Sequence, residues 1–231
     1  MIHEFIPLVR ESAFRDVEKF YVLAYEGEVT EKCYFNSLRK SSYFNDSGKV
    51  EIYPLERKKN EGTAPTYVKA RLNEAKRNYR FRSTDEFWLV IDRDHWEDNQ
   101  HIDLREIYES CAKEKNFFIA FSNPCFEVWL ILHLTGISRF SEEEQTAIMN
   151  NEKFSETKNH IDIVLAELID EARGDGKRRG YNKRPNAKVF MPRIYDAIAN
   201  AKAIPSVDGL YLDTIGTDVY KLVEKLINKQ S

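Results

Sequence analysis

The chain has 231 residues, 42% hydrophobic and 32% charged, enough for a sizeable core in one large domain or a domain with an extension. No apolar run nears the roughly 20 residues that span a bilayer, and MIHEFIPLVRE lacks the basic-then-apolar order of a secretory signal, so neither a membrane partner nor secretion is expected. Cys33, Cys111 and Cys125 show no CxxC or CxxH spacing, which argues against zinc and for reduced thiols in the cytoplasm.

In chain order, Phe20–Tyr25 reads as a first strand, apolar without interruption as when both faces are covered. Thr30 is placed to cap a helix with Cys33, Tyr34 and Leu38 inward. Val50–Leu55 alternates and contains Pro54, which suits an edge strand or a strand end. GTAPT then introduces a helix with Val68, Leu72, Ala75 and Tyr79 at helical spacing.

FWLVI, residues 87–91, is the strongest buried-strand signal, and Leu104, Ile107, Tyr108 and Cys111 mark the next helix. FFIAF, residues 117–121, is a further strand. Asn123-Pro124 reads as an N-cap with proline at the first helical position, opening a helix through FEVWLILHL. His133 inside it reads as a hydrogen-bonded core histidine.

Beyond about residue 138 only helical stripes follow: Ile161, Val164, Leu165 and Leu168; Ile194, Ala197, Ile198 and Ala201; Val219, Leu222, Val223 and Leu226. The glycine-rich basic loop GDGKRRGYNKRPN lies between the first two. Alternating strands and helices imply βαβ units and a mainly parallel sheet flanked by helices. The expected organisation is an α/β domain over 1–137 and a helical C-terminal part over 138–231, packed on it or continuous with it.

The strand ends carry acids. The first delivers Glu26, FWLVI delivers Asp92 and Asp94, and FFIAF leads to Glu127 just past its turn. Parallel strands set such residues along the carboxyl edge, where open α/β sheets place their sites. Asp92 and Asp94 share a side in extended backbone. Carboxylates gathered without arginine partners repel one another, and a hard cation such as Mg²⁺ resolves that conflict. Each acid also has a plain reading: a solvated DxD, or, for Glu28, Glu31 and Glu127, a first-turn acid favoured by the helix dipole.

The net charge of −3 conceals segregation. Arg57–Arg82 holds nine basic and two acidic residues, and Arg173–Arg193 eight basic and one acidic. Such separation fits a polyanionic partner. Candidate nucleic-acid contacts are Lys58, Lys59, Arg71 and Arg77 in the first segment, and Lys177, Arg178, Arg179, Lys183 and Arg184 in the second.

EGEVTEKCYF, VIDRDH and FSNPCFEVWLILHL together resemble the RloB-like family, whose members carry a Toprim fold; GYNK and GTDVYKLVEKL are similar to that family's closing segments. The likeness runs from about residue 20 to the end, and SNPCFEVWLILH is its most specific stretch. It implies that Glu26 is the Toprim glutamate and that Asp92 and Asp94 are the Asp-x-Asp pair, together holding Mg²⁺ or Mn²⁺. Glu31 resembles the extra acid that Toprim nucleases of the overcoming-lysogenization-defect type place soon after their Glu-Gly. Glu127 is carried over as a further catalytic candidate, although the core Toprim motif does not require it.

The resemblance also implies a phage-defence or restriction setting beside a separate ATPase; the sequence has no GxxxxGK[ST] loop of its own. A Toprim fold alone does not choose the chemistry. There is little room for a topoisomerase gate or primase modules, so the expectation is metal-dependent cleavage of DNA or RNA, transfer RNA included. A non-catalytic nucleic-acid-binding or assembly subunit of an ATPase complex is the alternative. DNA versus RNA and homo-oligomerisation stay open.

Overall fold

The structure, a computed structural model, describes residues 17–45, 47–58, 61–93, 104–206 and 211–228. Five strands, β1 (Lys19–Tyr25), β2 (Val50–Pro54), β3 (Glu86–Asp92), β4 (Phe117–Asn123) and β5 (Gly216–Thr217), form one sheet in the order β2-β1-β3-β4-β5. The first four run parallel and β5 pairs antiparallel with the end of β4. This is the expected mainly parallel α/β sheet flanked by helices.

The continuous apolar runs follow from burial on both faces. In β1, Tyr21, Leu23 and Tyr25 enter one core, while Phe20, Val22 and Ala24 enter the other. β3 divides likewise, with Trp88 and Val90 against Phe87, Leu89 and Ile91, as the two-residue period of a strand requires. One face is covered by α1 (Thr30–Arg39), α4 (Glu127–Leu134), α5 (Glu142–Asn150), α6 (His160–Arg173), α7 (Ala187–Phe190), α8 (Ile194–Lys202) and α9 (Val219–Leu226). The other is covered by α2 (Pro65–Asn78) and α3 (Leu104–Ala112).

α4 is apolar nearly all round and buried from Glu127 to His133, as a central helix must be. Its His133 is the expected core histidine: Nδ1 meets the Trp129 carbonyl oxygen at 2.8 Å and Nε2 the Tyr34 hydroxyl at 3.2 Å. Burial holds its pKa down to about 3, so the ring is neutral.

Three local expectations are corrected. Asn123 ends β4 rather than capping α4; its amide donates to the carbonyls of Tyr211, Leu212 and Thr214, the Asn123–Pro124 peptide is cis, and α4 begins only at Glu127. Thr30 makes no cap bond: α1 already starts there, and its hydroxyl turns inward. Phe35 takes the buried place given to Cys33, which is half-exposed. Pro54 ends edge strand β2, whose outer side needs no ladder donor. Among the described residues, no helix is long and apolar enough to cross a membrane.

Candidate functional site

The strand order reverses between β1 and β3: β2 lies on one side of β1, and β3 and β4 on the other. The helices after β1 and β2 pack on opposite faces, α1 in one core and α2 in the other. A crevice opens at such a switch point, outside the carboxyl ends of the strands. Glu26 and Asp92 stand on its two sides. The Glu26 amide donates to the Val90 carbonyl at 3.0 Å, continuing the ladder. Its carboxylate Oε2 accepts from the Asp92 amide, also at 3.0 Å, tying the two strand ends together.

Gly27 explains the turn. The Oε1 of Glu31, one turn into α1, accepts from the Gly27 amide at 2.9 Å. A Cβ on Gly27 would lie 2.5 Å from Glu31 Oε2, so only glycine lets this carboxyl rest on the backbone. Glu31 is 3% exposed. Burial pushes its pKa up to about 7, and the charge of Glu127 adds to that, against the backbone donors and Lys183. It is therefore not the solvated first-turn acid of the plain reading.

Glu127, in the first turn of α4, is also buried, but its surroundings differ. Oε1 accepts from the Thr30 hydroxyl at 3.3 Å, the Tyr181 hydroxyl at 3.4 Å and Lys183 Nζ at 3.1 Å. Lys183 Nζ also pairs with buried Asp162 Oδ1 at 2.7 Å. Burial works against the Lys183 ammonium, yet the charges of Glu127 and Asp162 outweigh it and hold the pKa above its usual value. The Lys183 carbonyl accepts from Thr30 at 3.2 Å, and its backbone has a φ of 61°. This left-handed turn aims the side chain inward rather than along the loop.

The remaining sequence candidates separate. Asp94, His95 and Lys59 lie outside the described residues. Lys58 is ion-paired with Glu74 at 2.6 Å. Arg71 is buried, donating to Glu61 and to the Tyr25 carbonyl. Arg77 is exposed in the last turn of α2, beside the chain's entry into β3 and hence toward the sheet edge opposite the acids. Lys177, Arg178, Arg179 and Arg184 are exposed on the basic loop, with Arg179 paired to Asp175 at 2.6 Å. Tyr181 and Lys183 anchor that loop to Glu127. In sequence Thr30 reads only as a helix cap and Tyr181 only as part of the family-like GYNK, while Asp162 carries no local signal.

The donor chemistry suits a hard divalent cation. Glu26, Glu31 and Asp92 offer only oxygen, and burial disfavours the Glu31 carboxylate in a way that a nearby cation would offset. Glu127 is less suited, because Lys183 already answers it. Among the described residues, no three His, Cys, Asp or Glu side chains are gathered closely enough to hold a metal ion by themselves. Mg²⁺ asks for less, being bound by one or two carboxylates with water and substrate phosphate.

A family model described as RloB-like protein matches residues 21–226, taking in both strand-end acids, α4 and the anchored basic loop. Comparison with curated proteins gave no match, and comparison with solved structures gave none.

Proposed function

The chain belongs to the RloB-like family, and on that premise we propose that it is a divalent-metal-dependent nuclease serving bacterial phage defence beside a separate ATPase. The observation that carries this reading is the Glu26–Asp92 bond across the switch point with the buried Glu31 carboxyl beside it. Glu26, Glu31 and Asp92, with Asp94 from the same DxD, would hold Mg²⁺ or Mn²⁺. Such an ion, when bound, supplies Lewis-acid activation of water and neutralises charge at a scissile phosphate.

The chain's own residues supply the rest. An ammonium has three protons; Glu127 and Asp162 take two from Lys183, leaving one to offer a phosphate oxygen. Thr30 and Tyr181 fix Glu127, so the lysine is aimed before substrate arrives, and preorganised charge of this kind is what lowers a barrier. With a pKa about 7, Glu31 can hold a proton at its carboxyl near neutrality and release it as a cation or substrate enters. Lys177, Arg178 and Arg184 would follow the nucleic-acid backbone, since phosphate contacts dominate affinity.

One observation favours the second reading, a non-catalytic binding or assembly subunit: Glu127 is already tied into an ion-pair cluster with Lys183 and Asp162. End-sequencing of DNA and RNA after exposure to wild type or Glu26→Gln, each alone and with its ATPase, separates the two. New ends with wild type only, dependent on Mg²⁺ or Mn²⁺, are expected. No cleavage by protein or complex, or equal cleavage by Glu26→Gln, overturns the nuclease reading.

A further inference from the structure

A second cavity adjoins the acids from the β2 side. It has a volume of about 300 Å³, walled by Tyr25 and Pro54 at the ends of β1 and β2, Leu55 beyond them, the Gly27–Val29 turn, the cations Lys32, Arg57 and Arg71, and the acids Glu28 and Glu56. Gly27 belongs to both places, since its amide holds Glu31 and its backbone lines this cavity. The cavity therefore stands about one strand spacing, roughly 5 Å, from the Glu26–Asp92 crevice.

Arg71 is its unusual feature. The side chain is 7% exposed, with Nε bonded to Glu61 at 3.0 Å and Nη1 to the Tyr25 carbonyl at 3.2 Å. Its Nη2 is buried and has no hydrogen-bond acceptor among the described residues. A guanidinium cannot shed its proton to escape this, and a buried donor left unmade costs about 1–3 kcal/mol. Arg71 is among the residues lining the cavity, so an acceptor seated there could draw this donor into a bond.

The rim adds two more cations, each paired with an acid that also lines the cavity. Arg57 pairs with Glu28, and Lys32 with Glu56 at 2.7 Å. In each pair the cation is the more embedded partner: Arg57 is 20% exposed against 62% for Glu28, and Lys32 41% against 70% for Glu56. Surface pairs of this kind are worth about 0–1 kcal/mol, so the two glutamates can turn to solvent and hand both cations to an incoming anion. Val29, Pro54 and Leu55 add apolar wall suited to a sugar or base. The mixture, one fixed guanidinium and two exchangeable cations beside apolar surface, matches a nucleotide phosphate better than a carboxylate metabolite, because three cationic side chains lining one cavity can serve a phosphate's several oxygens.

The geometry points to this cavity as a phosphate subsite, in which Arg71 Nη2, Arg57 and Lys32 hold the phosphate adjoining the one placed at Glu26 and Asp92. The inference rests on the nuclease reading for the carrier of that phosphate; a free mononucleotide offers the same chemistry. The occupant lies on the β2 side of the acids and the basic loop on the α4 side, so a bound strand would run across the carboxyl edge between them.

The test uses the full chain and three probes: inorganic phosphate, adenosine 5′-monophosphate, and a short single-stranded oligonucleotide, each titrated calorimetrically. Arg71→Lys keeps a charge but loses the second nitrogen, and Arg57→Ala, at the rim, covers the case in which Arg71→Lys fails to fold. Phosphate and mononucleotide should bind wild type, at least tenfold more weakly to Arg71→Lys and threefold to Arg57→Ala, with Mn²⁺ binding unchanged. The mononucleotide should displace the oligonucleotide if a strand is the natural occupant. Its binding alongside an undiminished oligonucleotide makes the free nucleotide the occupant and overturns the strand assignment. No phosphate or mononucleotide binding to wild type, or equal binding to the folded variants, overturns the subsite. Weakened anion binding in a protein that cleaves nothing upholds the subsite and defeats the nuclease; cleavage with unaltered anion binding does the reverse.

Discussion

The two edges of the sheet both bury acids and treat them differently. At the amino edge, Asp85 accepts from the amides of Phe20 at 2.8 Å and Arg82 at 2.7 Å. Beside it, Glu86 takes Lys19 at 2.7 Å, Lys225 at 3.0 Å and the Trp88 indole at 2.9 Å. Burial opposes the Glu86 charge, but these three donors outweigh it and lower its pKa. At the carboxyl edge Glu31 meets the reverse, and its pKa rises to about 7. The amino-edge acids come with donors that outweigh their burial; Glu31 at the carboxyl edge is buried with donors that do not. A cation beside Glu31 would offset that burial penalty.

The largest effect that can break this contrast is catalytic. Glu26→Gln or Asp92→Asn should lower cleavage by at least about a thousandfold, roughly 4 kcal/mol of barrier, while thermal unfolding stays near wild type. A variant that cleaves normally removes Glu26 and Asp92 from the reaction. Next comes Glu86→Ala, expected to destabilise the fold by about 3 kcal/mol because it strands two cations and an indole N–H. Chemical denaturation measures it, and a loss under 1 kcal/mol would mean the amino edge is not held as described. Gly27→Ala should cost activity about a hundredfold at near-native stability, since the new methyl must displace the Glu31 carboxyl.

Glu31→Gln sharpens the contrast by its sign. The folded pKa of about 7 exceeds the ordinary 4.5, so the wild-type acid's favourable contribution is complete below about pH 4.5 and lost as pH rises through 7. The variant should therefore be on the order of 2 kcal/mol more stable than wild type at pH 8, metal-free, and equal to it near pH 4. Glutamine that destabilises at pH 8 would place Glu31 with the paired acids. Smallest is Arg178→Ala on the exposed loop, expected to weaken nucleic-acid binding severalfold and reduce the salt slope by about one; an unchanged slope would take that loop off the strand.

Much of this arrangement was legible because hydrophobic period and strand-terminal acids are local signals. The strands from Phe20, Val50, Phe87 and Phe117 could be placed from their apolar runs, and Glu26 and Asp92 could be set on one edge once the strands were parallel. The two-residue β5 is too short for any period to appear. Thr30 next to a helix start reads as a cap whether or not a distant carboxylate claims its hydroxyl. Lys183 and Arg71 are one charge among many in sequence; only the left-handed turn of one and the burial of the other single them out. Long-range partners such as Asp162 and Tyr181 leave no local trace.

At the centre of this reading, Glu26 and Glu31 at the carboxyl edge hold a divalent cation. Thermal unfolding of wild type, Glu26→Gln and Glu31→Gln at pH 7.5, with Mn²⁺ titrated in, tests it without requiring a substrate. The account predicts that Mn²⁺ raises the wild-type midpoint in a saturable way and leaves both variants nearly unmoved. Equal stabilisation of all three, or of none, would contradict it.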